Sequence, residues 1–238
     1  MAVDILGGTA VKVIGIVGGI GPESTIDYYR LLLARFRERG GAGTPGILIN
    51  SIDVVQLLAL ASSGDRAGLT GYLLAAVTTL ARAGADLALF AANTPHLVFD
   101  EVQQHAPIKL VSIVAATCET AQTLGFRRVG LLGTRFTMQG NFYPEVFATR
   151  GMTVIVPEAP DLAYVHEKYV DELVAGKFLA ETRAGFLDVI DRMRERDGIE
   201  AVILGGTELP LLLRESTHPL PFLDTTWIHV DAVVACAM

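Results

Sequence analysis

The chain has 238 residues and a formal net charge of −7, and 51% of its residues are apolar against 19% charged. This composition is typical of a folded protein with a substantial hydrophobic core, and it excludes a mainly disordered chain. No apolar run reaches the roughly 18 residues of a membrane span, and the acidic charge argues against a nucleic acid partner.

The beginning of the chain and its cysteines limit where the protein works. Residues 1–10, MAVDILGGTA, carry an acid and glycines where a signal peptide would have a basic start and a long apolar stretch, so they are predicted to be a loose leader. Cys118 and Cys236 lie far apart, without His or Cys at metal-ligand spacing. We therefore predict a cytoplasmic protein with neither a disulfide scaffold nor a metal site.

Continuous apolar runs alternate with helical stretches along the chain. The runs predict strands buried on both faces, as in parallel sheets covered by helices. In chain order the predicted strands are 13–18, 46–52, 87–91, 109–113, 128–133, 153–156 and 200–204. The predicted helices are 23–39, 65–83, 95–104, 115–124, 138–150, 161–174, 181–196 and 209–214, with a last one from 226 onward. This order predicts an α/β fold.

The two halves of the chain contain similar segments in the same order. VIGIVGGIGPESTIDYY aligns with RVGLLGTRFTMQGNFY, and ADLALFAANTPH aligns with GIEAVILGGTELP. The separation between Gly15 and Ala92 differs by one position from the separation between Gly130 and Gly206. Such a repeat indicates a duplicated unit. It predicts two similar lobes related by a pseudo-twofold axis, each a mainly parallel sheet flanked by helices, with a ligand cleft between them.

The repeat also suggests lobe boundaries. We predict that residues 11–113 form lobe 1 and residues 114–220 form lobe 2. The C-terminal segment, about 221–238, is predicted to return to lobe 1.

Four strand-to-helix corners are predicted to meet in the cleft, at residues 18–22, 92–94, 133–137 and 206–208. Glycines there let the backbone approach a ligand, and the amides at the following helix starts favour a carboxylate or phosphate. The corners lack the glycine spacing of a dinucleotide site and the lysine of a phosphate-binding loop. The predicted partner is therefore a small anionic or zwitterionic ligand.

Four segments together resemble the aspartate/glutamate racemase family: GIVGGIGPESTIDYY, AANTPH, GLLGTRFTMQGNFY and ILGGTELPLL, within residues 12–230. The resemblance implies a two-lobed, commonly dimeric protein that needs no cofactor and holds a small amino-acid carboxylate between its lobes. It also implies proton transfer by two cysteines, one before Asn-Thr in the first lobe and one before Thr-Glu in the second. Ala92 and Gly206 stand at those positions in this chain, and neither side chain can accept a proton.

Two further departures from the family concern the substrate. Aspartate racemases of the family often carry a polar DQDH-like segment where this chain has residues 40–46, and a lysine near the position of Val174. The resemblance therefore implies weakened recognition of a second carboxylate.

The candidate site residues lie mostly at the corners. Those predicted to bind substrate are Gly19, Asn93, Thr94, Thr134, Thr137, His166 and Thr207. Those predicted to move the proton are Glu208, Thr94 and Thr207, because Glu208 is the only strong proton acceptor at the two turning corners. Each also has a structural explanation: Asn and Thr cap helices, an acid in a first helical turn stabilises the dipole, and His166 fits a surface position.

The sequence thus predicts a racemase-type isomerase that acts on a small amino-acid carboxylate without the two-cysteine mechanism. Two alternatives stay open. One is a lyase or decarboxylase of the same superfamily, which needs a single proton donor; the other is a non-catalytic protein that binds an amino acid or another carboxylate. A homodimer is expected, without nucleic acid or membrane partners.

Overall fold

Two four-stranded parallel sheets organise the residues that the computed structural model describes, 11–213 and 216–238. The first sheet has the order β2-β1-β3-β4 and contains β1 (Ile14–Gly18), β2 (Ile47–Ser51), β3 (Leu87–Phe90) and β4 (Lys109–Leu110). The second has the order β6-β5-β7-β8 and contains β5 (Arg128–Gly133), β6 (Thr153–Ile155), β7 (Ala201–Gly205) and β8 (Phe222–Asp224). The predicted leader, residues 1–10, lies outside the described residues.

The two sheets match in register as well as in strand order. Gly15 pairs with Ala88 across β1 and β3, and Gly130 pairs with Val202 across β5 and β7. In the alignment of the two sequence halves, Gly15 corresponds to Gly130 and Ala88 to Val202. The predicted α/β fold with two similar parallel-sheet lobes is therefore confirmed.

Helices flank both sheets. They are α1 (Pro22–Glu38), α2 (Val54–Ser62), α3 (Arg66–Arg82), α4 (Phe99–His105), α5 (Ile113–Thr123), α6 (Arg135–Gln139), α7 (Phe142–Ala148), α8 (Ala159–Lys168), α9 (Ala180–Asp197), α10 (Leu209–Leu213) and α11 (Thr225–Ala237). Along β1, Ile14 and Ile16 pack in one core while Val17 packs in another, so the sheet is covered on both faces. In the described residues no helix is both long and apolar enough to cross a membrane.

Some elements differ from the sequence prediction. Helix α2 was not predicted, although Asp53 caps it by accepting a hydrogen bond from the Val55 backbone N–H at 2.8 Å. The helix predicted over 138–150 is divided into α6 and α7, because Gly140 takes an extended conformation between them. Strand β8 was not predicted either; its three residues pair with β7.

The C-terminal segment contacts both halves. Strand β8 belongs to the second sheet, whereas α11 packs against α1 of the first half and against α5. Val230, Val233 and Val234 of α11 lie in the same core as Ile14 and Tyr28. The lobe boundaries proposed from the sequence stay a prediction.

A buried histidine fastens α11 to the first half. Its Nε2–H donates to the Val111 carbonyl at 2.9 Å, so Nδ1 of His229 accepts the hydrogen bond from the Tyr28 hydroxyl, also at 2.9 Å. Burial lowers the pKa of His229 to about 4. The ring therefore stays neutral in the folded protein, and both of its nitrogens are used.

We expect His229 to make stability depend on pH. Its folded pKa, about 4, lies below the ordinary histidine value of about 6.5, so the unfolded chain takes up the proton first. The contribution is complete above about pH 6.5 and falls by about 1.4 kcal/mol per pH unit as the pH drops towards 4. Urea unfolding at a series of pH values should show a shallower dependence for His229→Gln than for the native chain. Replacing the exposed His105 by glutamine is the control, and an unchanged slope in His229→Gln would contradict the assignment.

Candidate functional site

A small cavity lies where strand ends of the two sheets meet, with a volume of about 150 Å³. In open parallel sheets, ligands bind beyond the carboxyl ends of the strands. The polar side chains that line the cavity are Asn93, Thr94, Thr134, Thr137, Tyr169, Thr207 and Glu208. The apolar ones are Ile20, Val54, Leu58, Ala92 and Val174. Residues from all four predicted corners thus come together at one site.

A larger groove, about 680 Å³, lies beside α4, α6 and α7. Its wall contains the Arg66 and Glu101 charges, which are paired with each other, and the buried His96, whose Nδ1 has no partner among the described residues. The smaller cavity instead joins the strand ends of both sheets, and residues from all four predicted corners line it. We therefore place the candidate site in the smaller cavity.

Asn93 presents a buried donor. Its side chain is 5% exposed; Oδ1 accepts a hydrogen bond from the Tyr143 hydroxyl at 2.8 Å, and Nδ2 has no partner among the described residues. Burial raises the pKa of Tyr143, so its hydroxyl keeps the proton that it donates. Asn93 precedes a 3₁₀ turn, Thr94–Val98, without capping it through its side chain. The capping explanation for Asn93 therefore does not apply.

Two threonines at the start of α6 form a second polar wall. The hydroxyl oxygens of Thr134 and Thr137 lie 3.3 Å apart. Thr134 occupies the N-cap position of α6, yet its side chain makes no capping hydrogen bond. Both threonines line the cavity, as does Thr94, which lies at the first-sheet corner and is 9% exposed.

The carboxylate of Glu208 is the charged group of the cavity wall. Its Oε2 accepts hydrogen bonds from the hydroxyls of Tyr169 and Thr207, the latter at 2.9 Å. Burial, reinforced by the charge of Glu208, raises the pKa of Tyr169 well above its usual value, so the phenol is a donor. A Cβ built on Gly21 would lie 3.6 Å from Oε1 of Glu208. The carboxylate therefore reaches across to the corner of the first sheet.

Tyr169 was not predicted as a site residue. It begins a π-helical turn, Tyr169–Leu173, that follows α8. A Cβ built on Gly206 would lie only 2.4 Å from Oη of Tyr169 and 2.5 Å from its ring, so the phenol occupies the space that a side chain at position 206 would need. The sequence analysis singled out this stretch through His166, three residues earlier. The prediction of His166 therefore indicated the correct segment but not Tyr169.

Two predicted binding residues do not line the cavity. His166 Nδ1 accepts a hydrogen bond from the Arg135 backbone N–H at 3.2 Å, and burial lowers its pKa. Gly19 has a φ of +82°, and its N–H donates to Thr25 Oγ1 at 2.9 Å. A Cβ there would lie 2.4 Å from the Ile52 carbonyl oxygen. Both residues hold the corners in place.

Neither cysteine reaches the cavity wall. Cys118 is buried near the Val146 carbonyl, 3.8 Å away, and burial raises the pKa of its thiol. Cys236 lies near the C-terminus, 4.0 Å from Nζ of Lys109. Within the described ranges, no three His, Cys, Asp or Glu side chains cluster as a metal site would require.

A family model described as Asp/Glu/Hydantoin racemase matches residues 17–233 of the chain. The chain belongs to this family. The match covers all four corners of the cavity and, apart from the first residues of β1, both sheets, and it confirms the resemblance predicted from the sequence.

Individual relatives agree with this membership. An aspartate racemase homologue from Pyrococcus horikoshii OT3 has 36% sequence identity and a TM-score of 0.82, over 95% of this chain and 99% of that one. The broad specificity amino-acid racemase RacX of Bacillus subtilis is 22% identical over 90% of this chain and 92% of its own length. The aspartate racemase of Picrophilus torridus, 20% identical over 95% of this chain and 94% of that one, has a TM-score of 0.73 and shares the fold.

The packing of Tyr169 on Gly206 predicts an energetic coupling between these positions. Gly206→Ala should lower the free energy of unfolding by about 1–3 kcal/mol, the usual cost of overpacking, because Tyr169 must move. In a Tyr169→Ala background the same substitution should cost almost nothing. Gly71→Ala, at an exposed position of α3 with open space around the added Cβ, is the control and should be neutral or stabilising. Urea unfolding of the native racemase-family chain, the two single variants and the double variant measures the coupling. Free-energy changes of the single variants that add up to that of the double variant would contradict it.

Proposed function

We propose that the protein is a cofactor-independent, racemase-type isomerase that exchanges the α-proton of a small amino-acid carboxylate. The observation that carries the proposal is the cavity itself, where an unpaired buried donor from one sheet and a carboxylate from the other line the same 150 Å³ space. Membership of the Asp/Glu/hydantoin racemase family supports this type of reaction.

The substrate carboxylate is assigned to the Asn93 side. Nδ2 of Asn93 needs an acceptor, because a buried amide N–H without a partner costs about 1–3 kcal/mol. A ligand carboxylate supplies that acceptor, and the hydroxyls of Thr134 and Thr137 can donate to its remaining lone pairs. These donors also stabilise the negative charge that the carboxylate gains when the α-proton leaves.

Glu208 is assigned the role of base. Both of its hydrogen bonds go to Oε2, so Oε1 is the oxygen that takes the α-proton. The hydroxyl of Thr207 helps to fix the carboxylate, and Tyr169 holds it from the other side. On the first-sheet side, where Ala92 offers no titratable group, the hydroxyl of Thr94 is proposed to relay a proton from solvent to the opposite face of the carbon.

Ala92 and Gly206 favour a second candidate. They follow equivalent strands, β3 and β7, and both line the cavity without a side chain that accepts a proton. A hydroxyl with no adjacent base is a weak proton donor and acceptor. The second candidate function is therefore a protein that binds an amino-acid carboxylate without turning it over.

Deuterium exchange distinguishes the two candidates. When the substrate amino acid is incubated with the protein in heavy water, its α-proton signal should disappear from the NMR spectrum. Both enantiomers should form. Glu208→Gln should slow this exchange by about 10²–10⁴-fold, the usual contribution of a general base. Glu167→Gln, which removes an exposed acid outside the cavity lining, is the matched control and should have no effect.

Three other results have distinct meanings in this experiment. Binding without exchange would reject the isomerase and support the binding protein. Release of carbon dioxide would reject both and support the decarboxylase alternative. Exchange that survives in Glu208→Gln would show that another group is the base. The homodimer and the cytoplasmic location stay predictions alongside this proposal.

A further inference from the structure

We infer that the cavity selects a neutral, zwitterionic amino acid with a small aliphatic side chain, such as alanine, and disfavours dicarboxylates such as aspartate. The inference rests on the proposed function, in that the ligand is an amino acid held by the same cavity. Three properties of that cavity support the inference: its charge, its size and its apolar wall.

The charge of the cavity wall is the first observation. Among the described residues that line it there is no lysine, arginine or histidine, and Glu208 is the single acid. Arg135, next to Thr134 in the sequence, is exposed and does not line the cavity. A zwitterion has no net charge, and its ammonium nitrogen is bonded to the same carbon that Glu208 must reach. A carboxylate at the α-proton therefore also lies close to the ligand's positive charge, which favours binding.

A second carboxylate on the ligand would have no comparable partner. Among the described residues that line the cavity, Asn93 Nδ2 is the one buried side-chain donor without a partner, and it is already assigned to the α-carboxylate. A further anionic group would be desolvated near Glu208, and a buried charge without an opposite charge or full hydrogen bonding is strongly unfavourable. Like charges across a small buried space add to that cost.

The size of the cavity is the second observation. Its volume of about 150 Å³ equals that of an engineered protein cavity, about 150 Å³, that holds a single benzene molecule. Alanine has about as many non-hydrogen atoms as benzene, whereas aspartate and glutamate are larger by a second carboxylate. An amino acid with a short side chain fills this volume, whereas a longer one extends past Leu58 and Val174, which are 39% and 61% exposed, towards solvent.

The apolar wall is the third observation. Val54 and Leu58 of α2 and Val174 after the π-helical turn form one part of the lining, together with Ile20 from the first corner. These side chains offer a ligand methyl or isopropyl group a surface to pack against, and they offer a carboxylate no hydrogen bond. Helix α2 thus supplies the specificity wall, and the polar corners supply the groups that hold the amino and carboxyl ends.

Calorimetric titration of the full chain with alanine and with aspartate, each as D and L enantiomers, tests the inference. We expect alanine to bind, and the dissociation constant of aspartate to be at least about 100-fold higher, the ratio that corresponds to the loss of one or two charge-assisted hydrogen bonds. Aspartate bound as tightly as alanine, or more tightly, would overturn the inference.

A pair of lysine substitutions on α2 sharpens the test. Leu58→Lys places a cation on the cavity wall and should strengthen aspartate binding at least about tenfold while weakening alanine binding. Val55→Lys adds the same charge to the same helix at a position that is 72% exposed and outside the lining, so the ratio of the two affinities should not change. An equal gain in both variants would show that long-range charge, not the cavity wall, sets the preference, and would count against the inference.

The two proposals fail separately. Alanine binding without α-proton exchange leaves this inference intact and rejects the isomerase. Exchange into another amino acid by a chain that does not bind alanine rejects this inference and keeps the isomerase. A chain that neither binds alanine nor exchanges any α-proton rejects both.

Discussion

The hydrogen bond from Tyr143 to Asn93 is the interaction on which the candidate site depends. It joins α7 of the second half to the corner after β3 of the first, and both side chains are buried. Because the pKa of Tyr143 is raised by burial, the phenol remains the donor and the amide oxygen of Asn93 the acceptor. The amide nitrogen is thereby left without a partner among the described residues. This contact between the halves thus fixes the orientation of the Asn93 amide in the cavity wall.

Much of this arrangement could be predicted from the sequence. Strands buried on both faces leave continuous apolar runs, and glycines or polar residues follow them where the chain turns, so β1, β3, β5 and β7 and their corners are visible. If the chain contains two copies of one unit, equivalent corners lie at equivalent places in the two halves. The nearly equal separations from Gly15 to Ala92 and from Gly130 to Gly206 indicate this symmetry. The seven strands predicted lie in the two sheets observed, with the ends of several shortened.

The parts that could not be predicted depend on contacts between distant segments. Strand β8 has only three residues, which is too short for a recognisable pattern, and it is a strand because β7 pairs with it. Tyr169 belongs to the cavity because a π-helical turn carries its ring over Gly206, 37 positions later in the chain. A local pattern contains no such information. Helix α2 differs, since its N-cap, Asp53, is a local signal that the sequence does contain.

Gly206 and Tyr169 are best understood as one feature of the cavity. If Tyr169 were replaced by a small residue, a void would remain beside Gly206 at the end of β7. If Gly206 were replaced by a larger residue, its side chain would clash with the Tyr169 ring. The phenol also donates to Glu208, whereas a thiolate would have repelled that carboxylate. Steric fit and charge thus favour the same pair of residues, and a cysteine placed at 206 would require the Tyr169 ring to move, because its Cβ would lie 2.4 Å from Oη.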